Sequence, residues 1–386
     1  MGRAKIITFC IITGLYWFSM YAYMPIFAAY ARDMGANYEL LGIIIGAYGF
    51  TQMLLRIPVG VLSDTLNRRR IFVTAGLVLS AAGSLLVWLV PDIRTLFISR
   101  VLAGAAAATW VVYTVLFAGY FPPQETARSI GIINAVNSTG QVAALFCGGL
   151  AAERWGQSFT FLLSAGGAII GTVMSLRLTE PVKAARPGLC LAAVLETARD
   201  RNLLIVSALA VIVQLLFHGT VFGFTPLAAK QLGASDFALG LLTTVSILPG
   251  IAASVLSGSW FARRYGVRTS IISGFLLMAL GSMSIPWCSS LFQLYISQII
   301  GGFGRGVALP LLMSSSIQYF PQELRATAMG FFQAIYGLGM FLGPVLIGVL
   351  GEAAGLNWGF WLVGFLGVMG AGLAFSFVSE ERDKAA

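Results

Sequence analysis

Gly60-Val-Leu-Ser-Asp64-Thr-Leu-Asn67-Arg68-Arg69-Arg70 lies between two long apolar runs, roughly 38–62 and 70–90. An acid followed four residues later by three consecutive arginines cannot sit in hydrocarbon, where each charge costs roughly 2.5–3.5 kcal/mol at mid-membrane. The stretch is therefore a hairpin at an aqueous surface. A plain basic loop on the cytoplasmic side of a membrane would also have this composition, so the rest of the chain has to decide what the hairpin belongs to.

Hydrophobic residues make up 58% of the 386 residues and charged ones 10%, with a mean hydropathy of +0.86. That composition excludes a soluble globular domain. At about 20 apolar residues per crossing, twelve runs can be read, roughly 6–30, 38–62, 70–90, 94–119, 127–152, 158–178, 202–229, 236–260, 268–287, 291–318, 325–350 and 357–378. The expected fold is an all-α integral membrane protein with twelve transmembrane helices.

The net charge of +9 is a topology signal and not a nucleic-acid footprint. Seventeen of the 24 Lys and Arg fall on the side of both termini, including Arg68 to Arg70, Arg177, Arg263, Arg264 and Arg268. Only Arg32, Arg94, Arg154 and Lys230 fall on the other. The asymmetry predicts cytoplasmic termini in a multi-pass protein of the plasma membrane, the inner membrane of a bacterium. Arg3 and Lys5 precede an apolar run of about 25 residues, too long for the 7–15 residue core of a secretory signal, so it is expected to stay as the first crossing. Cys10, Cys147, Cys190 and Cys288 are isolated and suggest neither a disulfide framework nor a metal knuckle.

The chain repeats itself. Tyr120-Phe-Pro-Pro-Gln-Glu125-Thr-Ala-Arg128 is answered by Tyr319-Phe-Pro-Gln-Glu323-Leu-Arg325, with one gap and a separation of about 199 residues, and Pro25 through Ala36 by Pro226 through Ala234. Both copies put basic loops on one face, so two parallel six-helix repeats are expected, related by an axis along the membrane normal. The division is 1–178 for the first bundle, 179–201 for a charged cytoplasmic linker and 202–386 for the second bundle.

Together these features resemble the major facilitator superfamily. Its hairpin between the second and third helices reads Gly, three residues, Asp, a basic residue, any residue, Gly and two basics. Gly60, Asp64, Arg68 and Arg69 match, while Thr65 and Asn67 stand at the basic and second glycine positions. The resemblance implies transport by alternating access, with the hairpin as conformational switch, its acid contacting the start of the eleventh helix, here near Glu323 and Arg325, in the outward-open state and letting go when the cytoplasmic side opens. It further implies a central cavity lined by the first, fourth, seventh and tenth helices. Arg100-Val-Leu-Ala-Gly104 is similar to the family's Arg-x-x-x-Gly motif, whose arginine serves substrate or proton handling. The fifth helix partly resembles the motif of drug exporters, keeping Gly140 and Gly148-Gly149 but with Leu145 for its proline. That resemblance favours export.

After both faces are assigned, three arginines remain in the membrane, Arg56, Arg100 and Arg305, and none of the 15 acids does. Embedded ionisable groups are functional by default. Arg305 is expected to bind ligand, the alternative being a packing role with backbone carbonyls or asparagines as partners. Arg56, nearer the cytoplasmic end, is expected to be structural or gating. Gln214, His218, Phe222 and Thr225 recur at helical spacing on one face of the seventh helix. His218 is the only histidine and the candidate proton site, or else a neutral core residue. Trp17, Tyr21 and Trp110 offer aromatic surface. Asn137 and Gln141 either line the cavity or bridge helices.

There is no Gly-Lys dipeptide, no Gly-x-Ser-x-Gly elbow, no Cys/His cluster and no pair of buried carboxylates, so no enzyme is expected. The chain is expected to act as a monomer in the lipid bilayer on a small-molecule substrate. No cofactor is implied, and protons remain open as the coupling ion. The preferred substrate is a small organic anion or acidic amphipath. A broad-specificity drug exporter is the alternative, and a non-transporting receptor or structural protein a remote one.

Overall fold

The structure, a computed structural model, describes residues 3–66, 68–180, 197, 199–321 and 324–378. Among them eleven helices have the length and apolar composition of a membrane span: α1 (Ala4–Asp33), α2 (Tyr38–Leu66), α3 (Arg69–Leu89), α4 (Ile93–Ala118), α5 (Arg128–Trp155), α7 (Arg201–Gln231), α8 (Asp236–Tyr265), α9 (Val267–Trp287), α10 (Leu291–Ser315), α11 (Thr327–Ala354) and α12 (Leu356–Phe377). Helix α6 (Phe159–Ser175) is the twelfth and is shorter than its expected run of 158–178, because the chain leaves the helix through a turn at Leu176 and Arg177. Its 17 residues still reach about 26 Å, the short end of a crossing. Most of the 179–201 linker, Cys190, Asn67, Glu323 and residues 379–386 lie outside the described residues.

Hairpin ends need residues that tolerate positive φ, and the chain supplies glycines in repeat-related places. Gly35 (φ 89°) ends α1 and Gly233 (φ 83°) ends α7, while Gly156 (φ 89°) and Gly355 (φ 96°) follow α5 and α11. The helices that meet the centre are irregular. Helix α1 breaks at Ala22-Tyr23 ahead of Pro25, and α7 passes through a π turn at Thr220–Phe224 ahead of Pro226. Proline has no N–H to continue the ladder, so both repeats loosen one turn before it. The π turn also corrects the continuous seventh-helix face expected from α-helical spacing. His218 and Phe222 remain ring neighbours at 5.6 Å, but Thr225 lies beyond the phase shift.

Within each half the first helix packs on the fifth, α1 on α5 and α7 on α11. The close approach is made at repeat-related glycines. A Cβ at Gly140 would stand 2.8 Å from the carbonyl of Gly14, and one at Gly339 would run into the carbonyl of Val211. Between the halves there are two seams, α2 against α11 and α5 against α8. Both are tight at the face opposite the arginine loops. Large side chains such as Val255 and Phe292, each 71% exposed, point outward, as expected where the surrounding solvent is hydrocarbon.

Candidate functional site

Helices α2, α4 and α10 all enter from the face opposite the basic loops, so position along each gives depth. At about 1.5 Å per residue, Arg100 lies roughly 10 Å in, Arg305 roughly 21 Å and Arg56 roughly 27 Å. The three embedded cations therefore descend toward the basic face. Among the described residues none of them has a carboxylate partner. The ion pairs are Asp64–Arg69, Glu125–Arg128 and Lys230–Asp236, all at the two surfaces.

Arg100 is enclosed. Its Nη1 donates toward the Tyr23 hydroxyl at 3.5 Å and the Met24 sulfur at 3.4 Å, and the guanidinium carbon lies 4.7 Å from the Tyr48 ring centre and 5.4 Å from that of Phe27. Cation–π contact is the means by which an arginine without an acid can be buried. Arg100 is 3% exposed and caged by its own half.

Arg305 is half-buried and rests on a single ring, its guanidinium carbon 3.9 Å above Phe217. It makes no hydrogen bond among the described residues, and its Nε is buried without a partner. The packing alternative of carbonyl or asparagine partners is not what holds it. Phe217, the ring under Arg305, is also a ring neighbour of His218 at 5.5 Å.

His218 is buried, with Nδ1 3.2 Å from the carbonyl oxygen of Gln214. A carbonyl can only accept, so Nδ1 carries a proton and Nε2 is left for another partner. The imidazole is flanked by Phe217, by Phe222 and, across the halves, by Tyr48 at 6.5 Å. Tyr21 crosses the same gap to Phe222 at 5.4 Å, and behind it Trp17 packs on Trp110 at 5.1 Å. Trp17 Nε1 and Gln214 Oε1 are buried without partners among the described residues, a donor and an acceptor left unused. Leaving such groups unmet is costly. Asn137 and Gln141 do not bridge helices; their hydrogen bond joins them to each other along α5.

The hairpin's acid is held within its own loop. Asp64 is paired at 2.8 Å with Arg69 of its own loop, Gly60 accepts from the Ser63 hydroxyl, and Arg68 is exposed. Arg325 turns back to the Phe320 carbonyl at 3.0 Å. The cross-half link near the basic face is instead Arg56, whose Nη1 donates to Gln333 of α11 at 2.6 Å and approaches the Tyr336 hydroxyl at 3.5 Å. Tyr48, Gln52, Phe217, Gln333 and Tyr336 were not anticipated. Tyr48, Gln52 and Arg56 recur every four residues on one face of α2, a polar stripe in an apolar helix that could have revealed them.

The sequence model described as Major Facilitator Superfamily matches residues 9–227 and 207–386. An uncharacterized MFS-type transporter of Methanocaldococcus jannaschii is 22% identical over 342 residues, covering 86% of this chain and 87% of its own. A protein of Citrobacter koseri named for multidrug resistance, MdtD, is 30% identical over 146 residues, 38% of this chain and 31% of its own. Among solved structures, a bacterial homologue of the human lysosomal transporter Spinster, inward-facing and unoccupied, superposes with a TM-score of 0.80 at 16% identity, covering 97% of both chains. The nucleoside transporter NupG, as a point mutant, gives the same score at 13% identity, covering 97% of this chain and all of its own.

Proposed function

The chain belongs to the major facilitator superfamily, so it is a multi-pass membrane transporter and not an enzyme, and we propose that its cargo is a small organic anion or an amphipathic molecule with an acidic group. The observation that carries this reading is Arg305. A half-open guanidinium with no anion and no hydrogen bond, backed by one ring, is an incomplete ion pair in a low-dielectric setting, and a carboxylate or phosphate completes it. Trp17 Nε1 and Gln214 supply further polar contacts, and Tyr21, Trp110 and Phe222 supply apolar surface. Two halves rocking about this cluster would expose it to each side in turn. The free Nε2 of His218 would take a proton if protons drive the cycle, the substrate's own acid group being the other carrier.

With the basic face read as cytoplasmic in a bacterial inner membrane, the halves meet on the outer side. The fifth-helix glycines and the MdtD likeness favour export. A broad-specificity drug antiporter is the second reading, favoured by the aromatic side chains around the arginines and by that partial relative. Thermal stabilisation of the purified protein by a panel of organic anions, organic cations and neutral sugars separates the two. Stabilisation by anions that disappears in Arg305→Ala is the expected result. Equal stabilisation of both proteins by cations or neutral amphipaths overturns it.

A further inference from the structure

The internal repeat has a counterpart on the closed face that the substrate site does not use. Glu153, in the last turn of α5, accepts the backbone N–H of Phe237 in the first turn of α8 at 3.1 Å. Glu352, in the last turn of α11, accepts the backbone N–H of Tyr38 at the start of α2 at 2.8 Å. Glu153 and Glu352 are 199 residues apart, as are Tyr38 and Phe237, the same offset as the loops. Each carboxylate follows a glycine by four residues, in Gly149-Leu-Ala-Ala-Glu153 and Gly348-Val-Leu-Gly-Glu352, so glycine and acid share one helical face. At each glycine the two halves touch. A Cβ at Gly149 would stand 2.6 Å from the Cα of Gly240, and one at Gly348 would run into the Tyr38 carbonyl.

We infer that Glu153 and Glu352 form a duplicated latch, in which each carboxylate caps the first turn of a helix in the other half and holds this face shut. The first N–H groups of a helix have no partner within it and form the positive end of its dipole, so a carboxylate is the side chain suited to them. Because acid and helix belong to different halves, the bond exists only while the face is closed and must break for the cavity to open there. The latch therefore stabilises one of the two access states, whatever the cargo.

The two copies are unequal. Next to Glu153, Gln157 donates to both oxygens of Asp236, at 3.1 and 3.2 Å, and Lys230 pairs with Asp236 at 2.7 Å. The residue 199 positions before Asp236 is Asn37, and its side chain accepts from Leu40 N–H in its own helix at 2.8 Å. Glu352 thus acts without that reinforcement and is the more consequential latch.

The test is the distance between spin labels at Arg94→Cys and Ser289→Cys, exposed positions in the two halves on this face, in the full chain reconstituted in nanodiscs with the four native cysteines replaced by alanine. Glu352→Leu is expected to raise the open-to-closed ratio about fourfold, Glu153→Leu about twofold, and the double variant about eightfold, since each cap removed is a modest dipole interaction. Tyr38→Pro removes the donor and leaves the acid, and proline is tolerated at a first helical position. Compared with Tyr38→Ala, it should reproduce Glu352→Leu and add nothing to it. An unchanged distance distribution in the double variant, or full additivity of Tyr38→Pro with Glu352→Leu, overturns the latch.

Discussion

Arg100 and Arg305 occupy corresponding helices of the two halves and are treated in opposite ways. The fourth-helix arginine is 3% exposed and surrounded by Tyr23, Met24, Phe27 and Tyr48, whereas the tenth-helix arginine is half-buried with one ring beneath it. The repeat explains part of the difference. With an offset of 199, Arg100 corresponds to Ile299 and Arg305 to Ala106, so the two cations were placed separately in each half, at different depths. The contrast teaches that an embedded charge can serve packing when rings enclose it, and is free for a ligand only when they do not.

The largest expected effect tests the enclosed member. Arg100→Ala empties the cage and should cost about 2–4 kcal/mol of stability, read as a lower unfolding temperature. Arg100→Met, which refills the space without a charge, should recover most of it. If Arg305→Ala destabilises as much, the contrast between cage and open site fails. Arg305→Ala should instead leave the unfolding temperature nearly unchanged and lower anion transport into proteoliposomes at least about thirtyfold, the scale for losing one partner of a desolvated charge pair. A smaller effect follows for the histidine between them. His218→Asn should slow transport several-fold and flatten its dependence on an imposed proton gradient, while a retained dependence would move coupling to the substrate's acid group. The smallest effect belongs to the third cation. Arg56→Gln breaks the link to Gln333 and should change the transport rate about threefold, since hydrogen bonds between membrane helices are weak.

Much of the site was legible because ionisable and amide groups are rare in hydrocarbon. Arg100, Arg305, His218, Gln214 and the aromatic residues of the first helix stand out from apolar surroundings one by one. Tyr48 does not, since a tyrosine in an apolar helix is unremarkable until Arg100 is found on its face and His218 beside it. Thr225 was misplaced in phase because α-helical spacing carries no sign of the π turn before Pro226. Glu153 and Glu352 could be counted as acids outside the membrane, but a cap needs the other half's helix end within hydrogen-bond distance, and no spacing within one helix contains that distance. The same holds for Asp64: its motif was visible, and the choice of Arg69 as its partner in this state was not.

The chain by itself determined the succession of apolar helices and the place of its few charged residues among them, because transfer free energy acts residue by residue and is written into composition and order. The tertiary structure alone decided which arginine is enclosed and which face of the transporter is shut. Both depend on contacts between helices far apart in sequence, where a few ångströms separate a packed side chain from a binding one.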